Sequence, residues 1–141
     1  MSRQTIAQQR ARHALTQIET MKEWDDGHLS SHIAGFPAMI LMNGFGQTCA
    51  FYLSKGDRMK LVYDALENWL TSADRPYSDA KNGLMRAITS NNAARYRLAQ
   101  AEAMAYLDWL KKFAKAFLES EENNSGSEQE AITPTIEEEI S

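Results

Sequence analysis

A single cysteine, Cys49, excludes an intrachain disulfide and any metal site built from several thiolates. A reducing, cytoplasmic setting is the expectation that follows. Valine occurs once, and the other β-branched residues are mostly Ile and Thr, which argues against a sheet. Three prolines and seven glycines in 141 residues leave room for long, uninterrupted helices. No apolar run approaches the roughly 20 residues that cross a bilayer. The opening MSRQTIAQQRAR has no apolar signal-peptide core, so a soluble chain with no membrane partner is expected. Catalytic signatures are equally scarce. There is no HExxH, and the GFG of Gly44–Gly46 has no strand before it to make a phosphate loop. No carboxylate pair stands in a distinctive setting. The expectation is no enzymatic activity, no metal and no cofactor.

What is present is helix. Apolar residues make up 43% of the chain, enough for a globular core. Ala, Leu, Met, Gln and Glu dominate, the residues that favour helix. The fold class expected is all-α: a single bundle of five to six helices over residues 1–120. The longest element is Asn91–Leu118, which has no Gly or Pro. Ala99, Ala103, Tyr106, Leu107, Leu110, Phe113, Ala114 and Phe117 share one face of it at i, i+3, i+4, i+7 spacing. Arg97, Asp108, Lys111 and Lys115 fall on the opposite face.

The other helices follow by the same period. Thr5–Trp24 carries an Ala7, Ala11, Ala14, Ile18, Met21 stripe and ends at Asp25-Asp26-Gly27. Ser31–Met42, capped by Ser30 or Ser31, contains Pro37, which predicts either a start near Phe36 or a kink. Its MILM at Met39–Met42 predicts burial all round. Gln47–Ser54 is short, and Lys55-Gly56-Asp57 reads as a stop followed by an Asp57 cap. Arg58–Thr71 places Met59, Val62, Tyr63, Leu66, Trp69 and Leu70 inward. Ala80–Ser90, capped by Asp79, follows a loop containing Arg75-Pro76.

Charge is divided unevenly along the chain. Up to Leu118 there are 15 Lys and Arg against 11 Asp and Glu, a net +4. Beyond Leu118 there are eight acids and no cation, a net −8. Residues 121–141 are polar and too poor in core residues to offset their chain entropy, so a disordered acidic tail is expected. Ile132, Ile136 and Ile140 are spaced for a short docking helix, but Pro134 interrupts them. The basic body suits a polyanion partner.

Individual side chains add little chemistry. His28 and His32 have metal-pair spacing, but helix-connector chemistry explains them, and no metal role is assigned. Cys49 lies in an apolar segment, as an inert buried thiol does. Trp69, Trp109, Tyr106 and Phe113 could stack on bases, but their helical spacing places them in the core. Asp108 and Lys112 are spaced as an i, i+4 pair.

Three segments together resemble a known family. They are NGFGQTCAFYLSK (Asn43–Lys55), VYDALENWL (Val62–Leu70) and ARYRLAQAEAMAYLDWLKKFAKAF (Ala94–Phe117). In that order, and with PAMILMNG at Pro37–Gly44, they resemble the small helical subunit of the type III-B CRISPR effector, the Cmr complex. The resemblance runs from about Thr5 to Leu118. Its most specific part is the YR…A…EA…YL.WLK.FA pattern of the last helix. Phe45 and Cys49 stand where Leu is expected, and both are core-type exchanges. The resemblance implies an all-α subunit without catalytic activity. It implies self-stacking copies in a minor filament beside the guide RNA and target RNA, between the large subunit and the backbone subunits. It implies a basic surface that holds RNA backbone, for which Lys55, Arg58, Lys60, Arg95, Arg97, Lys111 and Lys115 are the candidates. The alternative is a helical protein–protein bridging module that makes no RNA contact.

Overall fold

Thr5 begins the first helix with a reciprocal cap. Its hydroxyl accepts from the Gln8 N–H at 3.1 Å, and the Gln8 side chain accepts from the Thr5 N–H at 2.8 Å. Two of the unsatisfied donors at the helix start are thereby paired. Helix α1 then runs Ile6–Met21, followed by a single 3₁₀ turn at Lys22–Trp24. The computed structural model describes residues 3–118. Five further helices follow: α2 Leu29–Asn43, α3 Phe45–Lys55, α4 Asp57–Leu70, α5 Leu84–Ser90 and α6 Ala93–Phe117. No strand occurs among the described residues. The expectation of an all-α bundle of five to six helices with a long last helix is met. The acidic stretch 121–141 and its isoleucines lie outside the described residues.

Helix directions follow from the side chains that bridge them. Arg10 meets Glu102, His13 meets Tyr106 and Lys22 lies over Phe117, so α1 and α6 run parallel. His13 also meets Asn68, while the Trp24 carbonyl meets Arg58, so α4 runs antiparallel to α1. The α2–α3 corner meets the start of α6, where the Tyr96 hydroxyl accepts from the Gly46 N–H at 2.9 Å. The bundle therefore has a loop half, holding the starts of α1 and α6, the end of α4 and residues 71–83. The other half holds the ends of α1 and α6 and the start of α4.

The most extensive contact is α1 against α6. Small fully buried residues occur on both helices, Ala14 on α1 and Ala99, Ala103 and Ala114 on α6, with the larger Ile18 also fully buried on α1. Small side chains let two helix axes approach closely. Tyr106, Leu107 and Leu110 fill the space beside them and are also fully buried.

Several local expectations are corrected. Helix α2 begins at Leu29 behind His28, which makes no side-chain cap bond, so Ser30 and Ser31 lie inside the helix. Asp25 and Asp26 turn the chain instead, their carboxylates accepting from the Gly27 and His28 N–H groups. Helix α2 passes through Pro37 without ending. The Tyr52 hydroxyl donates to the His32 carbonyl one turn before it. A Cβ on the intervening Gly35 would lie 3.3 Å from that hydroxyl. The MILM segment is not buried all round: Ile40 is 2% exposed, but Leu41 and Met42 are 77% and 82% exposed. Leu29, Ile33, Phe36 and Ile40 already form the inward stripe, and 100° per residue carries the next two side chains off it. Gly56, not Asp57, takes the α4 cap position, and Asp57 pairs with Arg58 at 3.0 Å. Asp79 caps nothing, because α5 starts at Leu84 behind Gly83. Glu67 from α4 does that work, accepting from the Leu84 N–H at 2.8 Å.

His13 joins α1, α4 and α6. Its Nε2 lies 2.6 Å from Asn68 Oδ1 and its Nδ1 lies 2.7 Å from the Tyr106 hydroxyl. An amide oxygen only accepts, so Nε2 carries the proton, and in the neutral ring Tyr106 donates to Nδ1. Burial holds this imidazole below its ordinary value of 6.5, against the Asn68 bond that favours the charged form. The unfolded chain therefore binds the proton first as pH falls. Stability should be constant above pH about 7 and fall as pH drops below about 6.5. Denaturant midpoints for the wild type and His13→Asn between pH 7.5 and 5 check this. The wild-type midpoint should drop and the variant's slope should be shallower.

Candidate nucleic-acid interface

Candidate cations separate into those committed to the fold and those left free. Arg95 is committed. It donates to the Pro76 carbonyl, to both Asp79 oxygens at 2.6 and 3.1 Å, and to the Asn91 side chain at 2.7 Å. Its guanidinium also lies 5.5 Å from the centre of the Tyr77 ring. These contacts pin residues 71–83 to the start of α6. The Arg95 hydrogen bonds hold the Asp79 carboxyl below its usual range. Arg58 is likewise engaged, donating to the Trp24 carbonyl at 2.8 Å and pairing with Asp57 and Asp26. Lys60 pairs with Asp64 at 3.1 Å along α4. Lys55 is exposed, its ammonium 5.2 Å above the Phe51 ring.

Arg97, Lys111 and Lys115 remain. All three are exposed on the outer face of α6 and make no ion pair among the described residues. The span from 97 to 115 is about 27 Å of helix at 1.5 Å per residue. The intervening Asp108 is already matched by Lys112 at 2.8 Å, the i, i+4 pair expected from the sequence. The stripe therefore keeps its positive charge. Three of the seven candidates share one face of α6, Lys55, Arg58 and Lys60 lie together at the α3–α4 junction, and Arg95 is held against Pro76 and Asp79. Of the aromatics assigned to the core, Trp69 and Tyr106 are buried and stacked at 5.4 Å, and Trp109 and Phe113 are half-buried against the core.

Charge also differs between the two halves of the bundle, which the sequence order conceals. The loop half carries Arg3, Arg10, Arg12, Arg75, Lys81, Arg86, Arg95 and Arg97 against Glu67, Asp74, Asp79 and Glu102. The opposite half carries Lys22, Lys55, Arg58, Lys60, Lys111, Lys112 and Lys115. Seven acids match them: Glu19, Glu23, Asp25, Asp26, Asp57, Asp64 and Asp108. The surplus positive charge of residues 3–118 is thus concentrated in the loop half. Lys81 and Arg86 there were not among the candidates. For Arg86, as for Arg97, one sequence signal was available: no acid stands three or four residues away on either side.

Cys49, Tyr52 and Glu102 are held within the fold. Cys49 is fully buried, and burial pushes its thiol up. The Tyr52 phenol is pushed up to about 12 by burial. Burial raises the Glu102 carboxyl, but hydrogen bonds from Arg10 and Trp69 and the Arg10 charge outweigh it and leave it below its ordinary value. Among the described residues no three His, Cys, Asp and Glu side chains are grouped to hold a metal ion. The His28 and His32 rings are 6.5 Å apart. No described helix is long and apolar enough to cross a membrane.

The model of the family described as CRISPR-associated protein (Cas_Cmr5) matches residues 6–117. The chain belongs to the Cas_Cmr5 family. It is therefore a CRISPR-associated subunit that joins the other subunits of a Cmr effector complex. The match covers all six helices. The same residues carry the resemblance seen in the sequence, from the first helix to the end of α6. In this Cas_Cmr5 chain the acidic residues after Leu118 lie beyond the match.

Proposed function

We propose that this subunit is a non-catalytic, RNA-binding structural component of the cytoplasmic type III-B effector, one of several copies stacked as a minor filament beside the guide RNA and target RNA. The observation that carries the proposal is the row of Arg97, Lys111 and Lys115 on the outer face of α6, exposed and unpaired among the described residues. Unpaired cations along one helix face suit contacts to a phosphate backbone that runs past it. Such contacts carry no base sequence. Pairing between guide and target supplies that in RNA-guided complexes, where the protein contributes shape and charge. The non-catalytic reading is supported by Cys49 being buried, Glu102 being bound to Arg10 and Trp69, and Asp79 being bound to Arg95.

The test is binding of the full chain to a uridylate oligomer across a salt series. Three phosphate contacts predict a log–log slope of about −2. Absence of binding at 50 mM salt would remove the RNA role of the free subunit. One observation favours a bridging role as well. Leu41 and Met42 are exposed at the end of α2, within the helix that Pro37–Gly44 helps define. A purely bridging subunit would stay in the complex, with unchanged RNA retention, after Arg97→Glu and Lys115→Glu.

A further inference from the structure

We propose that the loop half of the bundle contains a second anion site, a notch that seats a phosphate group, separate from the α6 stripe. The notch lies between residues 79–82 and α5 and has a volume of about 190 Å³. Asp79, Lys81, Asn82, Arg86, Ser90 and Asn91 line it.

Asp79, the acid that lines the notch, is already paired. Both oxygens of Asp79 accept from Arg95, and Asn91 uses its oxygen on Arg95 and its amide on the Ala87 carbonyl. The nearby Glu67 accepts from the Leu84 N–H and the Tyr63 hydroxyl. Lys81, Asn82, Arg86 and Ser90 have no partner among the described residues for their side-chain donors. Together they offer an ammonium, a guanidinium, an amide and a hydroxyl, all donors to an anion. An Arg fork and a Lys point charge are the two side chains best suited to phosphate oxygens. The surrounding field has the same sign, because the excess of cations in residues 3–118 lies in this half. The Arg95 bridge fixes one wall of the notch to α6 and α5 forms the other, so the donors are held on a braced frame.

The assignment of that phosphate to a nucleic-acid backbone rests on the RNA reading above. The two can be tested apart in the full chain. Amide chemical shifts followed during a pyrophosphate titration should move, with saturation, at residues 79–91. They should not move in Lys81→Ala/Arg86→Ala. Unchanged shifts at 79–91 in the wild type, or equal shifts in the double variant, would overturn the notch. With a ten-residue uridylate at 50 mM salt, the double variant should bind about tenfold more weakly, and its log–log salt slope should be shallower by about 1 to 2. Equal affinity of wild type and variant would overturn a backbone phosphate as the ligand, leaving the α6 contacts standing. Pyrophosphate seated in a chain that binds no RNA would support the notch and remove the RNA reading. Displacement of pyrophosphate by a glutamate-rich peptide at lower concentration than by RNA would overturn the nucleic-acid assignment in favour of an acidic protein. Neither substitution touches the core, so an unchanged thermal midpoint is the fold control.

Discussion

Glu102→Ala should lower the thermal midpoint by roughly 10 °C, the equivalent of about 3 kcal/mol at about 4 °C per kcal/mol. Glu102 projects from α6 into the junction with α1 and α4. One oxygen accepts from Arg10 Nε at 2.6 Å and from Trp69 Nε1 at 2.8 Å, and the other accepts from Arg10 at 2.9 Å. The Glu102 and Arg10 side chains retain only 12% and 20% of their exposure. Alanine leaves the Trp69 N–H buried without an acceptor, which costs about 1–3 kcal/mol. It also leaves Arg10 half-buried without its counter-charge, and removing one member of a buried pair is the expensive way to break it. Glu102→Gln separates these contributions. The amide oxygen still serves Trp69, so the glutamine variant should lose less than the alanine variant, measured by thermal and denaturant midpoints. Equal losses would place the whole effect in the charge pair. A wild-type midpoint for Glu102→Ala would show that the junction contributes nothing.

Leu110→Ala should cost about 2–5 kcal/mol, the range for a fully buried leucine truncated where neighbours cannot close the space. Leu110 is 0% exposed and sits beside Leu107 and Ala114 on the face of α6 that carries its buried residues. The fully buried alanines of α1 and α6 have no side-chain atoms to move into the gap, so little relaxation is available. Leu98→Ala on the same helix is the internal control. Leu98 is 63% exposed, and its truncation should stay within about 0.5 kcal/mol. Helix propensity changes by the same amount in both variants, so the difference between them isolates burial. Similar losses at both positions would mean that the buried face of α6 is assigned incorrectly.

The sequence by itself determined the helices and most of the core. Local propensity and the 3.6-residue period act along one chain, so Ala99, Ala103, Tyr106, Leu107, Leu110 and Ala114 could be placed inward before any neighbour was known. They are all buried, whereas Phe113, placed on the same face, is half-buried, Phe117 at the helix end is 50% exposed, and Ala7 at the start of the α1 stripe is exposed. The same period fixed the Asp108–Lys112 pair, and the three family-like segments identified the subunit whose family model matches residues 6–117. Helix starts were less legible. Whether Asp79 caps a helix or binds Arg95 depends on two residues sixteen positions apart, and Gly83 with Glu67 took over the start of α5. The exposure of Leu41 and Met42 also escaped, because an all-apolar run does not say which side its neighbours occupy.

Tertiary structure alone decided which charges are free. Arg10 and Glu102 lie 92 positions apart, and Arg58 reaches the Trp24 carbonyl across 34, so no local pattern shows that either arginine is occupied. The parallel course of α1 and α6 against an antiparallel α4 folds the linear charge order into two halves, one balanced and one positive. The physical reason is the range of the interactions. Helix formation and amphipathicity are read within a turn or two of the chain. Ion pairing and electrostatic surplus depend on which distant segments the packed core brings within a few ångströms.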